Sequence, residues 1–156
     1  MSFTRGLGWR PVTTLLLSLA GVGDAIYLTI AHYAAVPLAC SDTGLINCEK
    51  VTTSPQSVVL GIPVAVLGLA WFLAMAVVNL PPMWNPDRAL ATRISQLRLV
   101  MSVAGMGFVL YLISVELFVV GAICLWCTAA HILAFTLFVV IVTGFVSPVA
   151  TTVPAG

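Results

Sequence analysis

The stretch CLWCTAAHILAFTLFVVIVTGFV occupies residues 124–146. It contains no Asp, Glu, Lys or Arg, and His131 is its one imidazole. A helix needs about 20 predominantly apolar residues to cross the hydrocarbon core of a bilayer, and Cys124–Val146 supplies that length. Three stretches upstream qualify by the same rule: Val12–Tyr33, Val58–Leu80 and Leu97–Val119. Strands do not explain apolar runs this long, because open sheet edges cannot sit in lipid. The sequence therefore predicts an all-α membrane protein. Its four transmembrane helices form one bundle, a single domain over residues 1–156.

Composition points the same way. Hydrophobic residues make up 61% of the chain and charged residues 7%, against about a quarter charged in a soluble domain. Most of the chain must face something other than water. The formal net charge is +1 and no basic run occurs, so neither nucleic acid nor an acidic substrate is implied as a partner. Arg5 and Arg10 precede the first apolar run as in a signal peptide. That run is longer than a signal h-region, and no small-x-small cleavage site follows it cleanly.

Orientation follows from the positive charges. Arg5, Arg10, Arg88, Arg93 and Arg98 lie before the first run or around the second loop, Pro81–Gln96. Only Lys50 lies in the first loop, Ala34–Ser57. The arginine-rich side is expected to be cytoplasmic. Both termini are then cytoplasmic in a multi-pass protein, and the loop between helices 1 and 2 is extracytoplasmic. Cys40 and Cys48 lie in that loop, and Cys124 and Cys127 open the fourth run on the same face. A compartment outside the bacterial inner membrane, or the lumen of the endoplasmic reticulum, permits disulfides.

Cys124-Leu125-Trp126-Cys127 is a CxxC at a helix start, where unpaired N–H groups and a partial positive charge stabilise thiolates. Taken alone it also fits a structural disulfide or half of a zinc site. Seven residues separate Cys40 from Cys48, too many for the usual C-x₂₋₄-C half-site. A loop pair and a membrane-edge CxxC on one face together point to thiol–disulfide exchange between the pairs. Cys127 lies one turn below Cys124, about 4.5 Å deeper at the helical rise. The shallower thiol faces the loop, and the deeper one faces whatever dissolves in the membrane. A quinone, a lipid-soluble two-electron acceptor, suits that place in an apolar pocket with a few polar groups. His131 continues the stripe Cys124, Cys127, His131, either to serve a quinone oxygen or to bond a neighbouring helix. Ser54-Pro55 has the form of an N-cap and N1 pair, and its hydroxyl also falls near the reactive cysteines; Ser57 is a weaker case of the same kind. Asp24, mid-membrane, is expected to be paired, protonated or near water. Glu116 is expected to be simply interfacial. Trp9, Trp71 and Trp84 read as anchors or packing, and Gly61, Gly68, Gly105 and Gly107 as points of close helix contact.

With these residues in view, the chain resembles the vitamin K epoxide reductase family in its bacterial branch. The carrying residues are Cys40-Ser41-Asp42-Thr43-Gly44-Leu45-Ile46-Asn47-Cys48, Val51, Ser54, Gly61-Ile62-Pro63 and Cys124-Leu125-Trp126-Cys127. The resemblance spans about Ala20 to Val140. It implies a four-helix bundle around a quinone of ubiquinone or menaquinone type, with Cys127 next to it. It also implies exchange between Cys124 and Cys48, and Cys40 facing a protein partner. Ser54 matches a serine or threonine near the active site. His131 falls where animal members carry a tyrosine beside the quinone, and Ser57 near the place of a quinone-contacting asparagine. Some bacterial relatives carry a fused thioredoxin-like domain. None is expected here, so the partner is a separate thioredoxin-like or DsbA-type exported protein. The implied activity is quinone-dependent disulfide formation for exported proteins, at the bacterial cytoplasmic membrane. Alternatives are vitamin K epoxide or quinone reduction as in animal relatives, a tetraspan scaffold with structural disulfides, and a four-cysteine zinc protein. A DsbB-type enzyme is disfavoured, because such chains put the CxxC in the first outer loop. No metal site is expected.

Overall fold

The computed structural model of the protein describes residues 8–40, 43–84 and 87–146. Arg5, Ser41, Asp42 and both chain ends, on which parts of the sequence reading rest, lie outside them, as does the side chain of Arg88. The chain is mostly helical. Helix α1 (Trp9–Ala34) takes Pro11 in its first turn, where the missing N–H costs nothing, and stops at Ala35, whose φ of 49° is left-handed. Helix α2 (Cys48–Thr52) is one turn long, and the Asn47 side chain caps it by accepting from the Lys50 N–H at 2.7 Å.

The second expected span is shorter than its apolar run. Val58–Pro63 is not helical: β1 (Val58–Val59) pairs antiparallel with β2 (Ile62–Pro63) across a two-residue turn. Leu60 and Gly61 both have positive φ there, 52° and 82°, as a tight hairpin turn requires. Helix α3 (Val64–Val78) follows with 15 residues, about 22 Å at the helical rise. Helix α4 (Arg88–Ser114) begins nine residues before the expected Leu97 and runs on into a π-helical turn, Val115–Val120. Helix α5 (Leu125–Val146) begins one residue after Cys124. Among the described residues three helices are long and apolar enough to cross a membrane: Trp9–Ala34, Ala89–Val120 and Leu125–Val146.

Helix α1 packs against α3 and α5, α4 packs against α5, and α3 closes on α4. The buried stripe of α1 is made of small residues, Thr14, Ser18, Gly21 and Ala25, before Leu28. Small side chains let helix backbones approach where lipid offers no hydrophobic drive to associate. The Thr14 and Ser18 hydroxyls are spent on their own helix, donating to Arg10 O at 2.9 Å and Thr14 O at 2.7 Å. A Cβ on Gly21 would lie 2.2 Å from the Phe72 ring, and one on Gly105 would lie 2.4 Å from the Trp71 indole. These two glycines seat the adjacent aromatic pair of α3. Of the glycines expected to make close contacts, only Gly105 does so. A Cβ on Gly68 or Gly107 would meet no neighbouring element within 4 Å, and Gly61 serves the hairpin turn.

Arg98, counted with the second loop from sequence, is a helical residue turned inward and 6% exposed. Its Nε donates to Val78 O at 2.9 Å and its Nη2 to Met83 O at 3.0 Å. Its guanidinium lies 3.9 Å from the centroid of the Trp84 ring. It therefore caps the carbonyl end of α3 with positive charge.

Candidate functional site

A short parallel pairing places the cysteines. Asn47 N–H donates to Ile123 O at 3.1 Å, and Ile123 N–H donates to Leu45 O at 2.8 Å. Ile46 thus lies beside Ile123 in parallel register. Two residues further along each strand come Cys48 and Leu125. The Leu125 N–H, first in α5, indeed donates to Cys48 Sγ at 3.3 Å. The loop is folded on itself above this point by mutual Thr43–Ile46 backbone bonds, with Gly44 at φ 60° in the turn.

Cys40 and Cys48 are joined by a disulfide with Cα atoms 6.2 Å apart. The residue before Cys40 is held from two helices at once. Ala39 N–H donates to the Tyr27 hydroxyl of α1 at 3.0 Å, and Trp126 Nε1 of α5 donates to Ala39 O, also at 3.0 Å. The Tyr27 and Trp126 rings pack together, centroids 4.5 Å apart. Both backbone groups of one loop peptide are thus fixed by side chains that also fix each other.

Of the four sulfurs the middle two are the most deeply buried. Cys40 is half-buried in the loop, while Cys48 and Cys124 are 1% and 0% exposed in one apolar cluster with Val51 and Ala122. Cys124 and Cys127 are free thiols. The Cys127 N–H donates to Cys124 Sγ at 3.3 Å. The Cys124 thiol is held below the ordinary value for a cysteine. The main cause is a hydrogen bond from the Cys127 thiol, and the Cys127 backbone N–H assists against the cost of burial.

Cys127 lies on the wall of a cavity of about 370 Å³ between the helices. Leu28, Trp71, Phe72, Phe108 and Leu112 give it aromatic and aliphatic walls. The polar lining includes Ser54, Ser57, His131, Asp24 and Glu116. Ser57 and His131 therefore share the cavity with Cys127, and Cys40, Cys48 and Cys124 lie outside its wall. Ser54 does stand at the N-cap position of a three-residue 3₁₀ turn, Pro55–Ser57, but its hydroxyl makes no cap bond. It donates backwards to Val51 O at 2.8 Å; within the turn Pro55 has no N–H and the Ser57 N–H goes to Ser54 O. Asp24 Oδ2 is buried without a hydrogen-bond partner among the described residues.

Two features escaped the sequence reading. Glu116, expected to be simply interfacial, is 7% exposed and faces the cavity from the π-helical turn. A lone carboxylate eight residues before the CxxC was the available signal. The Tyr27–Trp126 clamp on Ala39 left no signal in sequence, since it joins residues far apart in the chain. Among the described residues no three His, Cys, Asp or Glu side chains are grouped to hold a metal ion.

A family model described as the vitamin K epoxide reductase family matches residues 12–142 of the 156-residue chain. No curated protein matches the chain.

Proposed function

We propose, of a chain that belongs to the vitamin K epoxide reductase family, that it passes electrons from an exported protein dithiol through its two cysteine pairs to a quinone. Membership makes it an integral-membrane oxidoreductase working with cysteines. The finer reading is carried by one observation: Cys127 opens onto an apolar cavity, one helical turn from Cys124, which is buried beside Cys48 of the bridged loop pair.

The cavity lining suits a quinone. Its volume is within the range of small-molecule sites, its walls match a flat ring, Ser57 and His131 offer donors for the ring oxygens, and Asp24 Oδ2, without a partner among the described residues, can accept from a hydroquinone hydroxyl. A bound quinone of ubiquinone or menaquinone type supplies an acceptor for two electrons and two protons.

The chain's own sulfurs do the rest by exchange. A thiolate of a thioredoxin-like (DsbA-type) partner attacks Cys40 of the Cys40–Cys48 disulfide and releases Cys48, whose sulfur already receives the Leu125 N–H. Cys48 then attacks Cys124 of an oxidised CxxC, forming a Cys48–Cys124 bridge and releasing Cys127. The partner's second thiol frees Cys40, which attacks Cys48 and closes the loop disulfide again. The products are an oxidised partner, the Cys40–Cys48 disulfide and a Cys124/Cys127 dithiol, the pairing seen in this structure. Oxidised partner in turn supplies disulfides to exported proteins.

The reading carries a topology. The arginine bias, with Arg10 and Arg93 among the described residues, supports a cytoplasmic side for the α1 start, the α3–α4 connection and both termini in a bacterial cell. The cysteine loop then faces outward. On this reading α3, though shorter than a hydrocarbon core of about 30 Å, makes the fourth crossing, with the apolar Val58–Pro63 hairpin at the outer interface.

Anaerobic mixing of the purified dithiol protein with a quinone tests the reading. One hydroquinone should form for each pair of thiols lost. Thiols that persist beside an unreduced quinone would sink it.

A further inference from the structure

The N–H groups at the start of α5 serve two sulfurs and neglect the third. Leu125 N–H goes to Cys48 Sγ and Cys127 N–H to Cys124 Sγ, each at 3.3 Å. The next, Thr128 N–H, goes to Cys124 O at 2.9 Å. Cys127 Sγ, one turn inside the helix, receives none of them. Yet Cys127 is the sulfur on the cavity wall, and a thiol must lose its proton to act as a nucleophile.

Glu116 stands where that proton can go. Its carboxyl interacts with the Cys127 thiol and the Cys124 backbone N–H, and it lines the cavity together with Cys127. It sits on the π-helical turn Val115–Val120, a local widening of the backbone often found at functional sites. The turn ends at Gly121, whose φ is 63°, and the Ala122 N–H returns to Glu116 O at 3.2 Å. Among the described residues, no lysine or arginine lines the cavity to neutralise Glu116. A carboxyl buried without a cation is costly, so packing alone is a poor reason to keep it there.

Resting on the thiol:quinone reading, we infer that Glu116 is a catalytic residue, the base that takes the Cys127 proton and the acid that returns it to an acceptor oxygen in the cavity. Oxidation of the Cys124/Cys127 dithiol to a disulfide gives up two electrons and two protons. The Sγ–H bond of Cys127 breaks, its proton moves to a Glu116 carboxylate oxygen, and the sulfur keeps the electron pair. The quinone is the oxidant for both electrons. Protonated Glu116 then gives up that proton inside the cavity, and the second proton comes from Cys124. Asp24 and His32 on α1 and His131 on α5 are the other titratable groups that share the cavity with Glu116 and Cys127.

Alkylation of Cys127 by N-ethylmaleimide, with no quinone present, tests the proton transfer alone. The reduced full-length protein is reacted in lipid and Cys127 modification is followed by peptide mass. Glu116→Gln should slow the reaction about a hundredfold near neutral pH, the lower end of the roughly 10²–10⁴ that a positioned base contributes. Glu116→Asp, which keeps the carboxyl on a shorter stem, should recover at least about a tenth of the wild-type rate. A Gln variant that reacts as fast as wild type overturns the inference. So does a faster one, because a carboxylate acting only as a repelling charge would be relieved by its removal. An Asp variant as slow as Gln overturns it too. The result is independent of the anaerobic quinone experiment, so either reading can fail without the other.

Discussion

Replacing Gly21 by alanine should destabilise the bundle, and replacing Gly23 by alanine should not. The two glycines lie two residues apart on α1. A Cβ at Gly21 would fall 2.2 Å from two atoms of the Phe72 ring, whereas one at Gly23 meets nothing within 4 Å. The Phe72 ring must therefore retreat by about 1.2 Å to restore ordinary contact at 3.4 Å. It is 3% exposed among Ala25, Val109 and Ala134, so it cannot swing to the surface. Such overpacking costs about 1–3 kcal/mol. Both variants also gain the roughly 0.5–1 kcal/mol by which alanine exceeds glycine inside a helix, so that gain cancels between them. The difference between Gly21→Ala and Gly23→Ala should be about 1–3 kcal/mol, or roughly 5- to 150-fold in the unfolding equilibrium. Reversible unfolding in mixed micelles of rising denaturing detergent, followed by circular dichroism, measures it. The easiest retreat for the ring is into the cavity it lines, so Gly21→Ala should also slow access of a small maleimide to Cys127. Two variants within about 0.5 kcal/mol of each other would refute the packing of α1 on α3 described above.

Trp126→Phe keeps the ring against Tyr27 but loses the 3.0 Å bond to Ala39 O. One net hydrogen bond of about 0.5–1.5 kcal/mol should appear as roughly 2- to 12-fold faster hydrogen exchange at the Ala39 amide, which Tyr27 holds; unchanged exchange would mean that the two bonds do not act together. The pH dependence of Cys124 alkylation should level off below the value near 8.5 expected of a free thiol, because a lowered pKa fills the thiolate at lower pH. In Cys127→Ala, which removes the thiol donor named as the main cause, that midpoint should move up; a midpoint that stays put would contradict the assigned cause.

Hydropathy located the apolar runs because lipid selects on the sum of side chains over about 20 residues. It does not locate where a helix begins. Val58–Pro63 adds to an apolar sum as well as any helix does, so the hairpin at Leu60 and Gly61 was hidden inside the second run. Gly61 and Pro63 were its only marks. Conversely, Arg88–Gln96 is too polar for a lipid window but rich in good helix formers, so α4 starts ahead of its apolar part. The stripe of Cys124, Cys127 and His131 was legible because helical spacing alone sets it. Their cavity was not, because Phe72, Trp71 and Phe108 reach it from separate helices. Glu116 was hidden as a cavity residue for a related reason. Its place near the end of a span suggested water, and only the π-helical turn carries its side chain inward.

The account rests on communication between the two cysteine pairs, and Cys127→Ser tests that most directly. In this variant Cys124 has lost its CxxC partner and keeps its place in the buried cluster with Cys48. Its thiolate should attack Cys48 in the Cys40–Cys48 disulfide and free Cys40, the outermost of the four sulfurs. A maleimide present throughout traps Cys40 as it is released, and peptide mapping without reductant reads the outcome. The account predicts Cys48 joined to Cys124 with Cys40 alkylated. Cys40 still joined to Cys48, with Cys124 left as a free thiol, would contradict it and leave a membrane protein whose loop disulfide is structural.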